Sequence, residues 1–138
     1  IGAVDGLFRH PDFYSVGVSG STCDNQYVGG QMWGEKFEGL STPCDGLESL
    51  AENFRGNLLL MHGLLDYAIA PAGAFRIVEI LYKANKDVDL VLLPNHTHDW
   101  DTYFVRRGWD YLVQHLLGVS PPKNFDLKTP FDDIDMST

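Results

Sequence analysis

The stretch NLLLMHGLLDYAIAPAGAFRIVEILYKANKDVDLVLLPNHTH, which runs from Asn57 to His98, indicates the fold class. It contains two near-continuous apolar runs, Asn57 to His62 and Asp87 to Leu93. Between them, Pro71 to Ala84 carries apolar residues at helical spacing. Two apolar strands joined by a helical crossover form a βαβ unit, in which the strands are parallel and helices cover both faces of the sheet. The sequence therefore predicts an α/β fold, a three-layer αβα sandwich around a mostly parallel sheet.

The segments that flank this unit extend the same pattern. Residues 1–10 read as the end of a helix, which Pro11 terminates, and Tyr14 to Ser19 reads as a buried strand. Residues 20–47 are rich in Gly, Asn, Ser and Pro and predict a long excursion from the regular layers. After the last strand, an amphipathic helix that ends at Gly118 is indicated by apolar residues at helical spacing, namely Val105, Trp109, Leu112 and Leu116.

Composition limits the classes of partner. Ten Lys and Arg against nineteen Asp and Glu give a formal net charge of -9, which disfavours nucleic acid and anionic membrane surfaces. No apolar run approaches the roughly 20 residues of a membrane span. Cys23 and Cys44 lack a zinc-like spacing, so a disulfide between them is left open. Because the chain starts with Ile1 and without a signal peptide, we expect it to begin inside a longer polypeptide.

Polar residues lie in the loops that follow two of the predicted strands. Asp66 comes after the run Asn57 to His62, and His98 comes after the run Asp87 to Leu93. Ligands in open α/β sheets bind beyond the carboxyl ends of the strands, so we expect these two side chains to meet at one edge. A carboxylate beside an imidazole is the orienting pair of nucleophilic catalysis, and the order Asp then His is that of the α/β-hydrolase fold.

Another hypothesis treats His96, His98, Asp99 and Asp101 as a metal-binding stretch of a metal-dependent hydrolase. The pattern departs from the known H-x-H-x-D-H loop because Trp100 and Asp101 occupy its Asp and His positions. A metal site needs three or four converging ligands. His62 is interpreted as a core residue.

Several segments together resemble the S9 serine peptidases, the prolyl oligopeptidase and dipeptidyl peptidase IV-like family. The similar segments are HPDFYSVGV from His10, WGEKFEGL from Trp33, LLLMHGLLD from Leu58, LLPNHTH from Leu92 and RRGWDY from Arg106. The resemblance covers the chain up to about Pro122. It implies that residues 1–122 are the C-terminal part of an α/β-hydrolase peptidase domain, a partial α/β-hydrolase fold, and residues 123–138 are interpreted as an acidic tail.

The resemblance also implies roles for individual residues. Asp66 corresponds to the triad carboxylate and His98 to the general base, whereas the family's nucleophilic Ser and its oxyanion-binding Tyr correspond to positions upstream of Ile1. Trp33 and Ile69 correspond to walls of the substrate pocket. The partners implied are a peptide substrate, the upstream part of the same polypeptide and a second copy bound through the C-terminal helix, Tyr103 to Leu117.

No cofactor is implied by the resemblance. The chain alone is expected to be inactive, because a Ser-His-Asp triad without its nucleophile forms no acyl-enzyme. A non-catalytic binding domain with the same fold is the alternative, since function resides in a site rather than in a fold.

Overall fold

A computed structural model describes residues 2–23, 36 and 46–128. The segments that contain Trp33 and Cys44, and most of the predicted excursion over residues 20–47, lie outside these ranges, as do residues 129–138 of the predicted tail. The elements follow one another in the order α1 (Gly2–Arg9), β1 (Val16–Gly20), α2 (Leu47–Leu50), a 3-10 turn (Ala51–Asn53), β2 (Asn57–Gly63), α3 (Ala72–Lys83), β3 (Asp89–Leu93) and α4 (Thr102–Leu117).

The strands of the described residues form one parallel sheet in the order β1-β2-β3. In this register Gly17 lies beside Leu58, and His62 lies beside Leu92. Strand β2 is central, and every one of its residues after Asn57 is buried. An apolar strand without polar alternation is typical of a sheet covered on both faces, which explains why the sequence of β2 reads as a continuous run.

Helices cover both faces, so the three-layer prediction is confirmed. On one face, α1, α2 and α3 pack against the β2 side chains Leu58 and Leu60. On the other face, α4 packs against Leu59 and Met61. No helix in the part of the chain that the structure describes is long and apolar enough to cross a membrane.

Two details differ from the sequence prediction. Strand β1 begins at Val16 rather than at Tyr14, because Tyr14 N–H donates to His10 O in the turn that follows α1. Helix α4 has the predicted extent, but it buries Phe104, Gly108 and Tyr111 rather than the predicted stripe, of which Trp109 is 58% exposed. Gly108 lies against Val18 and Met61, where an added Cβ would come within 3.3 Å of Val18 Cγ1, so this glycine lies in the contact face.

The ends of α4 are fixed by local chemistry. Asp101 Oδ1 accepts from Phe104 N–H at 2.8 Å, a side-chain N-cap. Gly118 follows the last turn in the left-handed conformation, with φ 67°, as glycine does after many helices. The Tyr111 hydroxyl donates to Asp89 Oδ2 at 2.8 Å and ties the helix to the start of β3.

Candidate active site

The loops that follow β2 and β3 lie against each other at the carboxyl edge of the sheet. Leu64 N–H donates to Leu93 O at 3.0 Å, and Leu65 N–H donates to His96 O at 3.0 Å. Gly63 lies so close to the backbone of the loop after β3 that an added Cβ would overlap the carbonyl oxygens of His96 and Thr97. The glycine therefore permits the approach of the two loops that carry Asp66 and His98.

The structure brings Asp66 and His98 together, as the strand-end argument predicts. His98 Nδ1 lies 2.9 Å from Asp66 Oδ2, within hydrogen-bond distance. The Asp66 side chain is buried, whereas the His98 side chain is 45% exposed. An ionised carboxylate only accepts hydrogen bonds, so Nδ1 carries the proton in this pair. The other ring nitrogen, Nε2, is then the one left to exchange a proton with a reacting group.

The second carboxylate oxygen of Asp66 is held by the backbone. Oδ1 accepts from Ala68 N–H at 2.9 Å and from Ile69 N–H at 2.8 Å. Burial by itself raises the pKa of the Asp66 carboxyl, but hydrogen bonds from Ile69, His98, Ser21 and Ala68 together hold that pKa below its ordinary value of 3.8. The carboxylate is therefore ionised at neutral pH.

The other predicted site residues lie in different surroundings. Ile69 is half-buried, and its backbone N–H donates to Asp66 Oδ1. Trp33 lies outside the described residues. The Nε2 of His96 lies 3.4 Å from Asp101 Oδ2, so the near neighbour of His96 is Asp101, whereas His98 meets Asp66.

The stretch from His96 to Asp101 does not converge on one point. His98 contacts Asp66, whereas Asp101 caps α4 and meets His96, and Thr97 Oγ1 donates to Asp99 Oδ2 at 2.8 Å. Within residues 2–23, 36 and 46–128, no group of three or more His, Cys, Asp or Glu side chains is placed to hold a metal ion.

Two contributors to this edge were missed by the sequence analysis. Ser21, directly after β1, supplies a side-chain hydrogen bond that lowers the pKa of Asp66, and it adopts a positive φ of 44°. The strand-end argument could have found Ser21, because it follows a third strand at the same edge. His62 Nε2 lies 3.0 Å from Ile69 O and 3.5 Å from Asp66 Oδ2. An apolar run that contains one His gave only the prediction of a core residue.

Solved structures share the fold. A Bacteroides ovatus protein assigned as a dipeptidyl aminopeptidase IV is 23% identical, with a TM-score of 0.69 over 82% of this chain and 17% of that chain. Porphyromonas gingivalis dipeptidyl peptidase 4 is 18% identical, with a TM-score of 0.65 over 77% of this chain and 17% of that chain. Pyrococcus horikoshii acylaminoacyl peptidase is 17% identical, with a TM-score of 0.67 over 89% of this chain and 23% of that chain.

These likenesses establish the α/β-hydrolase type of fold, and the chain spans from 17% to 23% of the length of these solved chains. No curated protein sequence matches the chain. The model of the prolyl oligopeptidase family matches residues 7–118. The match extends from the end of α1 through the whole of α4, so it includes the sheet and both loops of the Asp66–His98 pair. The chain therefore belongs to the prolyl oligopeptidase family.

Proposed function

We propose that this chain supplies the Asp and the His of a Ser-His-Asp triad in a serine peptidase. The observation that carries the proposal is the contact of 2.9 Å between His98 Nδ1 and Asp66 Oδ2 at the carboxyl edge of a parallel sheet. In this assignment Asp66 orients His98, and His98 is the general base. The nucleophilic Ser belongs to the part of the polypeptide that precedes residue 1.

Each residue has a defined part in the reaction. His98 Nε2 takes the proton of the Ser hydroxyl as its oxygen attacks the scissile carbonyl carbon, and it later gives that proton to the leaving amine. Asp66 keeps the His98 proton on Nδ1, and its negative charge stabilises the imidazolium that forms. Water then hydrolyses the acyl-enzyme by the same proton transfers in reverse. The low pKa of Asp66 supports this role, because the carboxylate stays ionised throughout.

The substrate class we propose is a peptide, cleaved in the manner of dipeptidyl or oligopeptidases. The names of the structural relatives support this class, since they are a dipeptidyl peptidase and an acylaminoacyl peptidase. Ile69 and Trp33 are the proposed pocket walls. The position of Ile69, three residues after Asp66 on the same loop, is compatible with a wall beside the triad.

The test uses a longer protein that contains residues 1–138 together with the residues that precede them. We expect it to hydrolyse Xaa-Pro or Xaa-Ala amides and to be labelled by a fluorophosphonate at a serine before residue 1. His98→Ala should lower kcat by roughly 10⁶-fold and Asp66→Asn by roughly 10⁴-fold, as loss of the base and loss of its orienting group do in such triads. His96→Gln is the matched control, because His96 pairs with Asp101, and it should retain activity.

Without the residues that precede residue 1, the proposed triad lacks its nucleophile. Residues 1–138 alone should give neither turnover nor labelling. Labelling of this chain at Ser19 or Ser21 would overturn the proposal, and Ser21 is the sharper case because its side chain hydrogen-bonds to Asp66. A longer protein that binds peptides without turnover would favour a non-catalytic binding domain instead.

A further inference from the structure

His62 is a buried imidazole near the carboxyl end of the central strand β2. Its side chain is fully buried, and it lies on β2 on the same side as Leu58 and Leu60, by the alternation of strand side chains. In the described residues, His62 Nδ1 has no hydrogen-bond partner. A buried polar atom without a partner is unfavourable for stability, so packing alone does not explain a histidine at this position.

The other ring nitrogen makes a definite contact. His62 Nε2 lies 3.0 Å from Ile69 O, and a carbonyl oxygen only accepts. Nε2 must therefore carry a proton, which excludes the neutral tautomer that is protonated only at Nδ1. Nε2 also lies 3.5 Å from Asp66 Oδ2, so the ring lies beside the carboxylate as well.

These contacts form a chain that ends at the general base. The N–H of Ile69 donates to Asp66 Oδ1 at 2.8 Å, while the C=O of Ile69 accepts from His62. One residue of the loop thus connects a side chain of the rigid central strand to the carboxylate. Asp66 Oδ2 in turn holds His98 Nδ1.

We propose that His62 is a positioning residue, which fixes the Asp66 loop and through it the orientation of His98. The positioning role of His62 rests on the proposed function only in its expected effect on turnover. The hydrogen-bond chain from His62 to His98 can be tested whether or not the protein is a peptidase. Removing the Nε2 donor frees the Ile69 carbonyl and lets the loop that holds Oδ1 shift. The Asp66–His98 contact then loosens, although both residues are still present.

The experiment compares His62→Leu, which removes the donor, with His62→Gln, whose side-chain amide can still donate to Ile69 O. Leu58→Ala is the matched control, because Leu58 is buried on the same face of β2 at the opposite end of the strand. The longer protein that contains this chain is labelled with ¹⁵N-histidine. Nitrogen shifts report the tautomer of His62, and the downfield Nδ1 proton of His98 reports its bond to Asp66.

We expect His62 in the Nε2–H form in the unsubstituted protein. His62→Leu should lose the downfield His98 proton and lower kcat by on the order of 10²-fold at little-changed KM, as a displacement of about 1 Å does in an active site. His62→Gln should recover most of both, and Leu58→Ala should retain both despite its lower stability. A merely structural role would instead make the effects of His62→Leu and Leu58→Ala alike.

The contrary outcomes separate this inference from the proposed function. A neutral His62 protonated only at Nδ1 overturns the positioning role without any variant, because its Nε2 could not donate to Ile69 O. Retention of the His98 proton and of kcat in His62→Leu also overturns it, while the triad stands. If no peptide is hydrolysed but the His98 proton disappears in His62→Leu and returns in His62→Gln, the positioning role holds and the peptidase assignment fails.

Discussion

The Asp66 carboxylate is held from several directions at once. Two backbone N–H groups, those of Ala68 and Ile69, point at Oδ1, and His98 meets Oδ2. Each of these donors favours the charged form over the neutral one, which outweighs the burial that acts in the opposite direction. A single side chain thus links the conformation of its own loop to the orientation of a residue 32 positions later.

This arrangement predicts a pH-dependent contribution to stability. Because the folded-state pKa of Asp66 lies below its ordinary value of 3.8, the carboxylate stabilises the fold above that value, and this stabilisation is lost as pH falls through the lowered pKa. Asp66→Asn should reduce the free energy of unfolding by about 1–3 kcal/mol near pH 7, and the difference should shrink below about pH 4. Urea denaturation of both proteins across this range checks it. A difference in the free energy of unfolding that stays constant with pH would contradict the lowered pKa of Asp66.

At the scale of elements, the site depends on how closely two strand-end loops approach. The loops after β2 and β3 are joined by main-chain hydrogen bonds from Leu64 to Leu93 and from Leu65 to His96. Gly63 leaves the space that this approach needs. The geometry of the Asp66–His98 pair is therefore set by the backbone of both loops as well as by the two side chains.

A methyl group at the contact should separate the loops. The Cβ in Gly63→Ala would meet the carbonyl oxygens of His96 and Thr97, which are backbone atoms and move only with the whole loop. We expect a loss of about 1–3 kcal/mol in the free energy of unfolding, as for other overpacked sites, together with altered His98 ring resonances. Gly2→Ala is the control, because a Cβ on Gly2 meets nothing within 4 Å. Unchanged His98 resonances in Gly63→Ala would show that the loops are not coupled at this point.

Much of the fold and of the candidate site could be predicted from the sequence. Apolar periodicity depends only on the local sequence, and the strand-end rule depends only on the order of the strands. They predicted the βαβ unit and the meeting of Asp66 with His98, which needs only the order of two strands. The buried face of α4 was not predictable in this way. Its two apolar stripes are adjacent, and the choice between them depends on the close approach of Gly108 to β1 and β2. The contacts of His62 likewise depend on the path of a loop that no periodicity describes.

At the scale of the whole molecule, the described residues leave surfaces uncovered. Strand β1 ends the sheet, so its outer backbone groups have no strand partner among the described residues. The outer side of α4 exposes Trp109, Leu116 and Leu117. Exposed apolar patches and unpaired sheet edges are the usual places for association. The net charge of -9 opposes association only through long-range repulsion.

We expect the isolated chain to self-associate through the outer side of α4. Replacing both Leu116 and Leu117 by Glu introduces charge into this patch and should shift the protein towards monomer. Phe13→Glu changes an even more exposed aromatic residue, in the turn between α1 and β1, and should have no such effect. Size-exclusion chromatography with light scattering at several concentrations measures the outcome. Equal association of both variants would place the interface elsewhere, for instance at the edge of β1.

The main-chain hydrogen bonds between the loops after β2 and β3 do not depend on which side chains the loops carry. A hydrogen bond from Leu65 N–H to His96 O persists whatever side chain residue 65 carries, and Leu64, Leu65 and Tyr67 are all exposed around the buried Asp66. Substitutions at these exposed positions can change the surface around Asp66 without changing the distance between the Asp66 carboxylate and the His98 imidazole. Related chains can therefore differ in this surface and keep the same Asp66–His98 contact, and Gly63 is the position between the two loops that should resist substitution.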